Sequence, residues 1–130
     1  MKITNLWEGL KRIANGDYVL EGDLVSDEDI VVELDDRLVV RGKVESKKRI
    51  LVRCSIKAGW GIKAGDGIEA GWGIKAGDGI EAKTFISAQL RIFAGTSVCH
   101  SSTSCKKFIK CAELRNGEIA FGDLVIADAP

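Results

Sequence analysis

Residues 56–81 read Ile56-Lys57-Ala58-Gly59-Trp60-Gly61, Ile62-Lys63-Ala64-Gly65-Asp66-Gly67, Ile68-Glu69-Ala70-Gly71-Trp72-Gly73, Ile74-Lys75-Ala76-Gly77-Asp78-Gly79, Ile80-Glu81. Within them, Gly61 to Glu69 recurs unchanged as Gly73 to Glu81, a duplication of twelve residues. The six-residue clock extends both ways, through Val32, Leu38, Val44 and Ile50 on one side and Ile86, Ile92 and Val98 on the other. Two positions after each aliphatic comes Leu34, Val40, Ser46 or Val52, then an unbroken alanine series from Ala58 to Ala94, then His100. A helix of period 3.6 cannot keep a six-residue spacing on one face, whereas a strand of period 2 can. Positions 1 and 3 of each hexad point inward and the others turn the chain, which is the pattern of a β-solenoid. Glycines at positions 4 and 6 are expected to take positive φ at the corners.

Twelve hexads run from Val32 to Thr103. The outward side chains decide how many make a coil. Twelve-residue stacking sets Asp66 on Asp78, Glu69 on Glu81 and Lys63 on Lys75, although it also stacks Trp60 on Trp72. Eighteen-residue stacking places Lys63 between Glu45 and Glu81 and Lys48 over Asp66, leaving Lys57 on Lys75 as a like pair. Each cross-strand pair contributes about 0.2–1 kcal/mol, so the charges favour three sides. The expected fold is all-β: a single-stranded parallel β-helix, three-sided, with eighteen-residue coils. Its parts are residues 1–31 (a helix and leading strands), 32–103 (the hexad solenoid) and 104–130 (a C-terminal cap) in one domain.

The flanks suggest how the ends are closed. Leu6, Leu10 and Ile13 share a helical face, with Thr4 or Asn5 as cap, Glu8 in the first turn and Asn15-Gly16 as stop. Such a helix over residues 4–14 would plug the first coil and protect its strand edges. The clock fails at Ser104 and Lys110. Residues 107–114 and 119–127 flank Asn116-Gly117, a hairpin signal, in a register that sets Lys110 opposite Asp123. Phe108, Ala112, Leu114, Ile119, Phe121 and Val125 then share a face, so Phe108, Leu114, Ile119 and Phe121 are the candidate homodimer contacts.

The chain has 130 residues, with 19 Lys plus Arg against 19 Asp plus Glu. A zero formal charge with no basic run gives electrostatic nucleic-acid binding little support. No apolar run approaches membrane-spanning length, and Met1 to Asn5 opens no signal-peptide core. A soluble cytoplasmic protein with reduced thiols is expected.

In architecture this pattern resembles the hexapeptide-repeat and bactofilin-like parallel β-helices, with Leu38-Val39-Val40-Arg41-Gly42-Lys43-Val44-Glu45-Ser46 most like a bactofilin coil. It departs from the left-handed hexapeptide pattern, whose small residue lies four positions after the aliphatic rather than two. Over residues 50–95 the Ile-Lys/Glu-Ala-Gly-Trp/Asp-Gly array is similar to small proteins of Gram-positive bacteria and their phages.

Each candidate for chemistry meets a plainer structural explanation. His100, the single histidine, is the residue type that hexapeptide-repeat acyltransferases use as general base, but no second catalytic group accompanies it. One histidine excludes a three-histidine zinc site. Cys99, Cys105 and Cys111, six apart and beside His100, match no tight zinc knuckle and read as small buried strand residues; Cys54 lies far from them. The Gly-Asp-Gly strings at Asp66 and Asp78 lack the nine-residue period of calcium-binding β-rolls, and no strand-loop-helix follows the Gly-x-Gly strings as in a phosphate loop. No catalytic residue, metal or cofactor is assigned.

Trp60 and Trp72, outward at position 5 and rimmed by charge, have the makeup of interface hot spots. In three-sided stacking Cys54, Trp72 and Leu90 form an outward column. The expected function is a non-enzymatic protein-binding module using Trp60, Trp72, Asp66, Asp78 and Leu90. Its phage-like resemblance implies an inhibitor of a host defence complex, anti-CRISPR-like. A self-associating bactofilin-like structural protein is the alternative, and a His100 acyltransferase comes last.

Overall fold

A hexad of this type gives three extended residues and a three-residue corner, because two apolar positions flank one polar position and glycine or charge follows. The computed structural model describes residues 2–4, 10–13, 16–94, 108–111, 113–121 and 123–126. The first strands are β1 (Lys2–Ile3), β2 (Leu10–Arg12), β3 (Tyr18–Leu20), β4 (Leu24–Ser26), β5 (Ile30–Val32), β6 (Leu38–Val40), β7 (Val44–Ser46) and β8 (Ile50–Val52). The repeats give β9 (Ile56–Ala58), β10 (Ile62–Ala64), β11 (Ile68–Ala70), β12 (Ile74–Ala76) and β13 (Ile80–Ala82). Longer strands follow: β14 (Phe85–Ala94), β15 (Phe108–Cys111), β16 (Glu113–Phe121) and β17 (Asp123–Ile126). None of the described residues is helical.

Ile56 pairs with Ile74, Ile62 with Ile80 and Ile68 with Ile86, all in parallel and all eighteen positions on. The protein is therefore a parallel β-solenoid with three strands to a coil. Successive turns start at Tyr18, Leu38, Ile56 and Ile74. The strands stack in three columns. The first holds β3, β6, β9, β12 and the end of β14. The second holds β4, β7, β10, β13, β15 and β17. The third holds β1, β5, β8, β11 and the start of β14. β16 runs parallel beside β14.

Inside, the aliphatic of each hexad stacks on its equivalent one coil away. Ile30, Ile50, Ile68 and Ile86 are all fully buried, and each isoleucine burial is worth about 1.5–3 kcal/mol. The second inward position tapers from valine to alanine, as in Val32, Val52, Ala70 and Ala88. In the second column that position is Ser46, between Ser26 and Ala64, and no polar group is left stranded: its hydroxyl donates to the Glu28 carbonyl at 2.7 Å and accepts from the Lys48 N–H at 3.1 Å.

The clock begins earlier than its strictest part suggests. Tyr18, Leu24 and Ile30 already take position 1, and they pair with Leu38, Val44 and Ile50, twenty positions on. Two extra residues in the corner after Val32 shift the phase, so Ile30 and Val32, rather than Val32 and Leu34, are the inward strand pair; Leu34 is buried in the corner. The leading segment 17–31 is thus a coil of the solenoid itself. The sequence ties this coil to the next by charge, with Lys47–Asp27 at 3.3 Å, Lys48–Glu28 at 2.6 Å and Arg49–Asp29 at 3.8 Å.

Both expected caps differ. The helix over residues 4–14 is replaced in its described part by strand: β2 lies antiparallel on β3, and Leu10 packs against the core. Residues 5–9, 14 and 15 lie outside the described residues. Gly16, at φ 95°, donates to the Ile13 carbonyl at 2.9 Å, so it turns a hairpin instead of stopping a helix. The ladder bonds along the edge of β3 outweigh a short helix's modest propensity. At the other end, Asn116-Gly117 lies inside β16 and makes no hairpin. β15 and β17 are parallel, and Lys110 pairs with Val125 instead of opposing Asp123. Ile109 pairs with Ile80, twenty-nine positions on, so the coil continues out of phase with the six-residue clock.

The corner glycines serve a different purpose from the one expected. Among the described residues, positive φ occurs at Gly16, Gly22 and Gly117 only. At Gly59 and Gly71 a Cβ would collide with the carbonyl oxygens of Arg41 and Arg53 one coil below. Close backbone approach explains these glycines. Corner side chains complete the stacking, since Asp23, Asp29 and Ser55 accept from the N–H groups of Lys43, Arg49 and Gly73 in the next coil.

Candidate functional site

Position 5 of a hexad lies at the middle of a corner, so its side chain stands clear of the strands on either side. The five residues with expected binding roles occupy such positions, but on three different corners. Trp60 lies below Asp78, Trp72 below Leu90, and Asp66 below Thr84; each upper residue donates its N–H to the lower one's carbonyl, at 3.3, 2.8 and 3.2 Å. The solenoid therefore separates the two tryptophans and does not stack them.

The Trp72 corner is the most apolar. Trp72 and Leu90 are 49% and 60% exposed on successive coils. Beside them an open groove is lined by Ser55, Gln89, Leu90, Arg91, Phe93 and Glu118. Phe93 holds the Lys75 ammonium 5.7 Å from its ring centre. Cys54 belongs to this corner by backbone, because Trp72 donates its N–H to the Cys54 carbonyl. Its side chain, however, is buried and bonds to the Asp36 carbonyl. The expected outward column is thus Trp72 and Leu90 without Cys54, since a small apolar thiol fits the corner interior.

Trp60 is the most exposed large apolar residue described, at 64%. It edges a groove of about 610 Å³ lined also by Asp23, Lys43, Glu45, Lys63, Asp78 and Glu81. The central outward residues of the second column bring Glu45, Lys63, Glu81 and Lys110 into one ladder. The expected Glu45–Lys63–Glu81 sandwich is present in register, although Glu45 makes its ion pair with Lys43, at 3.5 Å. Sequence reasoning missed the extension to Lys110, because the strand that carries it stands outside the clock. Asp66 is held by the Thr84 hydroxyl at 2.7 Å.

Leu114 and Ile119, expected as dimer contacts, pack against the solenoid core. Their partners in register are Ile86 and Ile92, which fixes them on the inner side. The side chains of Phe108 and Phe121 lie outside the described residues, as do Cys99, His100 and Cys105. Cys111 is fully buried beside Ile109, and burial pushes its thiol pKa up, as it does that of Cys54. Among the described residues no group of three His, Cys, Asp or Glu side chains gathers to hold a metal ion. No described helix is long and apolar enough to cross a membrane.

Searches for similar proteins return no family model, no curated protein and no solved structure that matches this chain.

Proposed function

We propose that this protein is a rigid three-sided solenoid acting as a non-enzymatic protein-binding module, cytoplasmic in location, with the Trp72–Leu90 corner as its hot spot. One observation carries the reading: two large apolar side chains, each about half exposed or more, lie on successive coils, and Leu90 shares a groove with Arg91, Gln89 and Glu118. Desolvating an aromatic inside a polar rim is how a few residues come to dominate an interface. The scaffold beneath is preorganised, so little conformational entropy is lost when a partner docks. Narrowing that partner to a host defence complex rests on the resemblance of the array to phage proteins.

The test is capture of partners from host extract by wild-type protein and by Trp72→Ala and Leu90→Ala. A partner retained by wild type is expected to bind Trp72→Ala about 30-fold more weakly, as befits a hot spot of about 2 kcal/mol, with an unchanged melting temperature. Equal retention by all three proteins, or no retained partner, removes the reading.

A further inference from the structure

The second column carries an ordering that its neighbours lack. Its central outward positions read Val25, Glu45, Lys63, Glu81 and Lys110, one per rung, by strand register. The equivalent positions of the first column read Val19, Val39, Lys57, Lys75 and Phe93, and those of the third read Lys2, Val31, Leu51, Glu69 and Ser87. Only the second alternates in sign among the described residues. Lys63 and Lys110 are exposed, Glu45 and Glu81 half-buried.

A ladder of acid, base, acid and base becomes its own complement when reversed. Turned end for end, it sets Glu45 against the partner's Lys110 and Lys63 against the partner's Glu81, with the two reciprocal contacts following by symmetry. The spacing of the rungs is the same in both copies, about 4.8 Å between hydrogen-bonded strands, so every contact along the ladder falls in step. A parallel arrangement of the same faces would set Glu45 on Glu45 and Lys63 on Lys63, which like-charge repulsion opposes.

We propose that the second-column face is an isologous interface between two copies of this chain, their solenoid axes antiparallel about a dyad between the Lys63 and Glu81 rungs. Such self-complementarity is what a two-fold contact demands. Trp60 and Asp78 share one corner of this face on adjacent rungs. The dyad exchanges those rungs, so each indole meets the partner's Asp78 and lies one rung from the partner's Trp60. Around 64% of Trp60 surface is open to such a contact in the single chain. The Trp72–Leu90 corner lies on a different edge and stays open, which makes the dimer a bivalent version of the binding module.

The same alternation also supports neighbouring coils within one chain, so the experiment must hold that support constant. A fourfold variant, Glu45→Lys, Lys63→Glu, Glu81→Lys and Lys110→Glu, keeps the alternation inside each chain while inverting every sign. Wild type and variant, each alone, are expected to sediment at double the monomer mass, with dissociation promoted by salt. Mixed with one copy tagged, the two are expected not to pair with each other, because the antiparallel contact then opposes like charges. Trp60→Ala is expected to weaken the wild-type dimer at least tenfold with the melting temperature of the monomer unchanged. Pairing only in the mixture would mean parallel ladders and overturn the proposal. So would wild type and a Trp60→Ala control that both stay monomeric at every concentration reached.

Discussion

The Thr84 hydroxyl donates to Asp66 Oδ1 at 2.7 Å, across eighteen positions of sequence. That contact belongs to a corner in which Asp66 sits over Lys48 and under Thr84. It accounts for one Gly-Asp-Gly string by stacking within the solenoid. It also fixes a coil length that the near-identical hexads leave open, because every isoleucine fits any rung equally well.

Uniform rungs make the core a sum of equivalent layers. Ile68 is fully buried between Ile50 and Ile86. Ile68→Ala is expected to cost about 2–5 kcal/mol, since rungs on both sides restrain collapse of the cavity. Chemical denaturation gives the value; a loss under about 1 kcal/mol would mean that the stack relaxes around the gap.

A methyl group at a tight corner should cost nearly as much as a hole in the core. Gly71→Ala places a Cβ against the Arg53 carbonyl oxygen and is expected to destabilise by about 1–3 kcal/mol, as overpacking does. Calorimetry on the single variant checks this. An unchanged melting temperature would show that adjacent coils can part there without cost.

Acid sensitivity has a local source in the first coil. The Tyr18 hydroxyl donates to Asp35 Oδ1 at 2.9 Å. That bond holds the Asp35 carboxyl below its ordinary 3.8 and pushes the Tyr18 phenol above its ordinary 10.0. For Asp35 the folded value lies under the unfolded one, so its contribution is present above pH 3.8 and fades as pH falls through the folded value. For Tyr18 the folded value lies higher, so its contribution is present below pH 10.0 and fades as pH rises through the folded value. Tyr18→Phe is expected to flatten both limbs of the stability–pH curve, measured by denaturation at a series of pH values. Parallel curves for the two proteins would rule the linkage out.

Salt should act mainly between the first two coils. Replacing Lys47, Lys48 and Arg49 by glutamine removes their contacts with Asp27, Glu28 and Asp29. These side chains are exposed, so about 0.2–1 kcal/mol per pair is expected at low ionic strength. Screening shrinks the difference in molar salt. A loss that persists undiminished there would point to packing of the long side chains instead.

The Asn-Gly pairs show why local signals read differently at the two ends. Gly16 turns the chain from β2 into β3, whereas the Asn116-Gly117 pair is absorbed into β16. Both sequences favour a tight turn. What separates them is the neighbouring edge: β14 offers β16 a parallel ladder along most of its length, and that ladder overrides the turn. The helix expected over residues 4–14 yields to the same influence at Leu10–Arg12. Ladder bonds to a distant strand leave no mark on the short stretch that makes them.

Residue spacing alone determined the parallel solenoid and its buried isoleucine and alanine stacks, because the period repeats at every rung; the outward charges favoured the eighteen-residue coil that contacts such as Thr84–Asp66 fix. It also marked Trp60, Trp72 and Leu90 as outward. Tertiary structure decided where the first coil begins, how the ends are closed and which corner each tryptophan occupies. It alone brought Lys110 into line with Glu45, Lys63 and Glu81, twenty-nine positions after its neighbour Glu81 in the ladder. Insertions change the phase of a repeat without changing its rungs, so such alignments are visible only once the coils are stacked.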